Sequence, residues 1–389
     1  MSSARPGRFD RFLVSSATGS AATFLFDRLL APHGRRERWL GALARRSGLA
    51  SRAALVDGRP EAVGLAEAAA ALARLRPAGE WILAGPRPED RRGRFTGFLF
   101  PSGRPHARGA RPDRVVKLRR EGGAGATLAA EAETLAGLAR ELPEPLRGTV
   151  PGVLDHGRIE SAGQAWELLV LTTLPGRSAY VELQMAFLPA RRAPRHLRAA
   201  GDWLAHFHRA TARRASAWSP PSWEEIAPGD QAASPEWYRR LRLGLAEAPW
   251  PLAAGHGDFW ARNVLLPEPG EGPAEASGRL SGVVDWEHFR PQAPPFDDLF
   301  HFALSYGESF PWGGRRRPPE EAFRRSFLAD NAVSRELRRY FAAYARETGL
   351  DSAALGGLAR LFLLTREDRD ACLNRYRMLE RAERSVFSG

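Results

Sequence analysis

The amino-acid sequence predicts an α+β protein in which strands and helices are segregated along the chain. Short apolar or alternating runs concentrate between residues 80 and 174, and helical periods dominate from residue 175 onward. One hairpin-like pair of apolar runs interrupts the helical part. At 389 residues the chain can bury a substantial core, and its length suggests two or three structural units. We divide it into an N-terminal extension of unknown role (1–79), a strand-rich lobe (80–174) and a mostly helical lobe (175–389).

In the extension, residues 35–49 and 60–75 show helical patterning, the second with an alanine run, separated by Gly, Ser and Pro breaks. Runs at 81–84, 95–100 and 114–118 are bounded by Pro, Gly and Arg clusters and read as strands. Residues 128–142 read as a helix stopped by Pro143 and Pro145. A further strand at 166–171 runs into Thr172-Thr173-Leu174-Pro175-Gly176, a turn that suits a lobe boundary. Residues 195–212 form an amphipathic helical pattern. His206 and His208, two apart within it, do not share a helix face, which argues against a metal pair. The Ser-, Pro- and Trp-rich stretch 213–235 reads as a loop or short-helix insertion. Four helical segments follow at 322–329, 334–347, 353–364 and 366–384.

Composition narrows the class. The apolar and charged fractions, 43% and 26%, are those of an ordinary soluble globular protein. The net charge of +12 would attract polyanions, but the arginines are scattered through every segment and do not interleave with aromatics, so no specific nucleic-acid partner is expected. Residues 1–11 lack an apolar core, and no stretch approaches the ~18 continuous apolar residues of a membrane span; we expect a cytoplasmic protein with no membrane partner. The single cysteine, Cys372, rules out an internal disulfide framework and a multi-cysteine zinc site. Among 57 Lys plus Arg residues only Lys117 is lysine. Where arginine serves at every other basic position, a retained lysine points to a need for a compact ammonium rather than a planar fork.

The chemistry-bearing stretch is His256-Gly257-Asp258-Phe259-Trp260-Ala261-Arg262-Asn263, followed by apolar runs at 264–266 and 280–284 and then Asp285-Trp286-Glu287. If the two runs pair, Asn263 and Asp285 sit at the outer ends of a hairpin and bring two oxygen ligands together. Magnesium bound to nucleotide phosphates needs such ligands, and Asp258 in the preceding loop is placed to take a proton from an attacking hydroxyl. Lys117 lies on a strand. In the helix after it, Glu131, Leu135 and Leu138 share one face while Glu133 points elsewhere, so Glu131 is the expected ion-pair partner of Lys117. Backbone amides at Leu171, Thr172, Thr173 and Leu174 are expected to read an adenine edge.

The string His256-Gly257-Asp258-x-x-x-x-Asn263, with Val284-Asp285-Trp286-Glu287 and Pro295-x-x-Asp298-Leu299, resembles the aminoglycoside phosphotransferase and choline kinase-like family, relatives of the protein kinases. The resemblance runs from about residue 80 to the C-terminus. It implies a two-lobed protein-kinase-like fold, with a small antiparallel-sheet N-lobe, a mostly helical C-lobe and ATP in the cleft, GTP not being excluded. It implies Asp258 as catalytic base, Asn263 and Asp285 as Mg2+ ligands, Lys117 as the phosphate-binding lysine and Glu131 as its partner. His256 would orient the catalytic loop, Asp298 would brace the C-lobe, and Glu287 would contact the metal's surroundings or the acceptor. No G-x-G-x-x-G precedes Lys117, Gly93 and Gly97 being poor substitutes, and Asp285-Trp286-Glu287 in place of D-F-G favours the small-molecule branch.

The expected activity is therefore transfer of the γ-phosphate to a hydroxyl of a small molecule, an antibiotic or natural product. Alternatives are a sugar or amino-alcohol kinase, a protein kinase, and a nucleotide-binding pseudokinase. The strong positive charge favours a neutral, zwitterionic or anionic acceptor over a polycation. Oligomeric state is open.

Overall fold

A computed structural model describes residues 12–14, 65–75, 81–85, 94–101, 111–122, 127–161, 163–186, 188–226, 234–247, 250–268, 279–366 and 369–382. The helix expected at 35–49 and residues 269–278 of the turn between the two apolar runs of the hairpin lie outside them. The chain divides into two compact units, one of residues 1–141 and 150–175, the other of 142–149 and 176–389.

In the first unit the elements are β1 (Phe12–Val14), α1 (Leu65–Leu75), β2 (Trp81–Ala84), β3 (Arg94–Leu99), β4 (Arg114–Arg120) and α2 (Leu128–Glu141). The short helix α3 (Glu144–Arg147) belongs to the second unit. The first then resumes with β5 (Val153–Ser161) and β6 (Gln164–Thr172). The strands form one antiparallel sheet in the order β1-β2-β3-β4-β6-β5. Helix α1 buries Ala68, Ala71 and Leu72 in a core shared with Phe95, Val116, Leu118 and Trp166. The end of the extension, with β1, is therefore part of the sheet's own packing. The small alanines let α1 come close, and Gly97 completes the fit: a Cβ there would meet Leu72 Cδ1 at 2.6 Å. Gly97 thus serves helix–sheet approach in mid-strand. β5, an edge strand, was not anticipated as a full strand; its side chains are mostly exposed, so it lacks the alternation that marks a half-buried strand.

The second unit continues with β7 (Arg177–Ser178), α4 (Ala179–Met185), α5 (Ala193–Thr211), β8 (Arg213–Ala217), α6 (Trp223–Ile226), α7 (Glu236–Glu247), β9 (Pro251–Gly255), β10 (Val264–Leu266), β11 (Gly282–Val283) and β12 (Arg290–Ala293). After these come α8 (Phe296–Ser309), α9 (Pro319–Phe323), α10 (Ala332–Thr348), α11 (Leu355–Leu364) and α12 (Arg369–Arg381). The stretch expected to be a loop or short helix from 213 opens instead with β8. The helix expected at 322–329 begins at Pro319 and passes at Arg324–Leu328 into a π-turn. Helix α10 starts on a capping box, in which Asn331 Oδ1 accepts from the N–H groups of Val333 and Ser334 and Ser334 Oγ accepts from the Asn331 N–H; it ends at Gly349 in the left-handed region.

Two three-stranded sheets, β11-β10-β7 and β12-β9-β8, are set among these helices. β9 ends at Gly255 and β10 begins at Val264, so residues 256–263 span from one small sheet to the other. Residues 142–149 join this unit because Thr149 C=O accepts from Val283 N–H at 2.8 Å and Thr149 Oγ1 accepts from Trp203 Nε1 at 2.8 Å. Among the described residues no helix is long and apolar enough to cross a membrane.

The fit of α1 on β3 can be tested by urea denaturation of the full chain. Leu72→Ala should cost about 2–4 kcal/mol through the cavity it leaves. Gly97→Ala should be unfavourable in the wild type and close to neutral in the Leu72→Ala background, a coupling of about 1 kcal/mol or more. Additive effects would show that α1 is not seated this way.

Candidate active site

The loop 256–263 is held from below by one carboxylate. Asp298, in the first turn of α8 and fully buried, accepts the His256 N–H on Oδ2 at 2.6 Å and the Gly257 N–H on Oδ1 at 3.0 Å. Two successive main-chain donors converging on one point make an anion site, and aspartate fills it. Burial by itself would raise the Asp298 carboxyl, but its neighbours win and hold it at about 2: His208, the His256 ring and the His256 N–H. His208 Nε2 stands 3.9 Å away, too far for a hydrogen bond, and burial lowers the His256 pKa and keeps that ring neutral. The two main-chain bonds are therefore the contacts to weigh most.

His256 carries the order on to the next residues. Its Nδ1 accepts from the Asp258 N–H at 3.2 Å, and its Nε2 faces Val284 C=O at 3.1 Å. A backbone N–H can only donate and a carbonyl can only accept, so the ring is the neutral tautomer with its proton on Nε2. One imidazole thus links the amide of Asp258 to the residue before Asp285. It packs on Trp286 with ring centroids 4.6 Å apart, and Trp286 Nε1 donates to Val283 C=O. Phe259, buried, stacks on Trp203 at 5.4 Å and fixes the loop to α5. Gly257 has φ +80°, and a Cβ there would fall 2.1 Å from His288 C=O; only glycine lets the two segments meet.

The structure brings the three expected oxygen-bearing residues to this place. Val284 N–H donates to Asn263 C=O at 2.9 Å, continuing the pairing of Val264 with Val283, so Asn263 and Asp285 flank the same end of the hairpin. Asn263 Nδ2 donates to Asp258 C=O and to Asp258 Oδ2, both at 3.0 Å. These partners are acceptors only, so the amide orientation is settled and the carbonyl Oδ1 is turned from Asp258. Asp285 has φ +70°, and among the described residues it is the one non-glycine with positive φ. Such a conformation costs about 1 kcal/mol or more and concentrates at functional sites. Glu287 Oε1 lies 3.1 Å from His288 Nε2.

One residue of the site was not found in the sequence. His301 Nε2 lies 3.4 Å from Asp258 Oδ1. It stands three residues after Asp298 on α8, on the same helix face, so one face holds the loop's main chain and meets its carboxylate. The spacing from Asp298 is the signal that could have revealed it.

Lys117 and Glu131 lie in the first unit. Lys117 Nζ donates to Glu131 Oε1 at 2.7 Å and to Oε2 at 2.9 Å, and the Glu131 side chain is 2% exposed. Of the four expected adenine-reading residues, Leu171 lies inside β6, paired with both Val115 and Val153, and the Thr172 N–H is engaged by Gly152 C=O at 2.9 Å. The Thr172 amide is thus not a reader. Thr173 and Leu174 lie past the last paired residue, with Thr173 Oγ1 donating to Pro112 C=O at 3.0 Å.

The donor chemistry suits magnesium. A carboxylate and an amide carbonyl are hard oxygen ligands, and magnesium with nucleotide phosphates takes only one or two protein groups, the rest being phosphate oxygens and water. Among the described residues no group of three or more His, Cys, Asp or Glu is placed to hold a metal ion.

A family model, the APH phosphotransferase enzyme family, matches residues 106–355, and the chain belongs to that family. Solved structures similar to it include two small-molecule kinases. One is a microcompartment-associated aminopropanol kinase, 14% identical over 77% of this chain and 89% of that one, with a TM-score of 0.38. The other is a spectinomycin phosphotransferase in complex with ADP and spectinomycin, 12% identical over 80% and 93%, with a TM-score of 0.33. Superpositions this loose carry no weight for the acceptor. No curated protein sequence matches the chain.

Two outcomes follow from the geometry. The depressed Asp298 carboxyl contributes stability that is fully present above about pH 4 and lost as pH falls toward about 2. Wild type should thus be more stable than Asp298→Asn at neutral pH, with the gap closing as pH falls through that window in acid-denaturation curves. At Asp285, glycine relieves the backbone and alanine does not. Asp285→Gly should melt higher than Asp285→Ala by the equivalent of about 1 kcal/mol, and equal melting would remove the strain argument.

Proposed function

We propose that the protein is an ATP- and magnesium-dependent kinase that moves the γ-phosphoryl group to a hydroxyl of a small molecule. The observation that carries this reading is the joined set Asp258, Asn263 and Asp285, tied together through His256 in a chain of the phosphotransferase family. Asp258 orients the acceptor hydroxyl and takes its proton as the new O–P bond forms and the bond to the leaving ADP breaks. Asn263, through Oδ1, and the Asp285 carboxylate hold magnesium, which neutralises phosphate charge. Lys117, kept in place by Glu131, takes phosphate oxygens, and main chain at Thr173 and Leu174 receives the base. His301, beside Asp258, helps to fix the carboxylate that the acceptor meets.

The net charge of +12 favours a neutral, zwitterionic or anionic acceptor. A hydroxyl-bearing antibiotic or natural product of that kind is the first candidate, and a sugar the second. Incubating the full chain with ATP and magnesium chloride against a panel of hydroxyl compounds, with ATP consumption as readout, identifies it. On that compound Asp258→Ala should lower kcat by about 10²–10⁴-fold. Near wild-type turnover in this variant would sink the proposal.

A further inference from the structure

We infer that Glu167 is a positioning residue: it seats the first turn of α2 on the sheet so that Glu131 meets Lys117. The use of that pair rests on the kinase reading above, whereas the geometry stands by itself. β4 presents Lys117 and Arg119 two residues apart, hence on one face of the strand, and their neighbours on β6 are Leu169 and Glu167. Arg119 Nη1 meets Glu167 Oε1 at 2.6 Å, with the Arg119 side chain 4% exposed. The other oxygen, Glu167 Oε2, accepts from the N–H of Leu128, the first residue of α2, at 2.9 Å. Thr127 Oγ1 caps the same turn by accepting from Ala130 N–H at 3.2 Å.

An arginine and a carboxylate paired only for each other's charge favour a fork that uses both oxygens. Here one oxygen serves the guanidinium and the other satisfies a donor that the helix itself leaves without an intrahelical partner. A carboxylate at this end also suits the helix dipole. Glu131 lies three residues beyond Leu128, less than one helical turn, so anchoring the Leu128 N–H restricts where the turn bearing Glu131 can sit. The helix is bound to β4 twice, directly by Glu131 on Lys117 and through Glu167 on Arg119. Protein kinases control their lysine–glutamate pair by moving the helix that bears the glutamate. Here the first turn is tied to the sheet at Leu128 and again at Glu131, which restricts such a swing.

Because the chain contains one lysine, Lys117 can be read without substrate or nucleotide. Acylation of the folded full chain by acetic anhydride, quantified at Lys117 by peptide mass spectrometry, reports how well Glu131 holds the ammonium, and Glu131→Ala sets the rate for a lysine without Glu131. Removing Glu167 alone would take a carboxylate from a buried guanidinium, so the test uses Arg119→Met with Glu167→Met, and Arg119→Met with Glu167→Gln, each checked for folding by circular dichroism. The methionine pair should label about tenfold faster than wild type, and the glutamine pair, which restores an acceptor for the Leu128 N–H, within about twofold of wild type. Wild-type rates in the methionine pair, or equally fast labelling in both pairs, would overturn the inference. In the wild type itself the Leu128 amide should exchange with solvent at least about tenfold more slowly than in a free chain, and unprotected exchange would also overturn it. If labelling behaves as expected and no phosphotransfer is ever found, the positioning role stands and the kinase reading falls.

Discussion

The contact on which the site depends is the pair of hydrogen bonds from the His256 and Gly257 N–H groups to the Asp298 carboxylate. They turn the chain as it leaves β9, and that turn places the His256 ring where it can touch both the Asp258 amide and Val284 C=O. Without the turn, the base-bearing loop and the strand leading to Asp285 would have no shared contact at this ring. The carboxylate is held in its charged form by His208, the His256 ring and the His256 N–H against the cost of burial.

Around this contact the protein packs aromatic surface. Trp203 stacks on Phe207 at 4.9 Å and on Phe259 at 5.4 Å, Phe207 meets Trp286 at 5.6 Å, and Trp286 meets the His256 ring. Large rings with few rotamers bury much area and leave little freedom to the loop they support. This is the setting in which a carboxylate and an amide can wait in a working geometry instead of being ordered at each turnover.

Much of this was legible in the sequence where local pattern and chemistry coincide. The run at 81–84, the strand bearing Lys117 and the hairpin ends at Asn263 and Asp285 follow from alternation and from turn residues. The choice of Glu131 over Glu133 followed from helical period, and the structure shows Glu131 on Lys117. What was not legible depends on distant partners. β5 is exposed and has no apolar rhythm; β9 and β12 are short and made by pairing across about 40 residues of chain. The Thr172 amide could be judged only once Gly152 was seen opposite it. His301 carries no motif of its own, because its meaning lies in Asp258 on another element.

The return of residues 142–149 to the second unit has a practical side. The backbone passes from one unit to the other at 141/142, 149/150 and 175/176, so neither unit corresponds to one uninterrupted piece of gene. A cut at the Pro175–Gly176 turn, the obvious place on the sequence, would strip the second piece of Thr149, whose carbonyl extends the pairing at Val283 and whose hydroxyl receives Trp203. Dissection of this protein into expressible halves therefore has to carry that eight-residue segment across, by circular permutation or by duplication, rather than choose a single boundary.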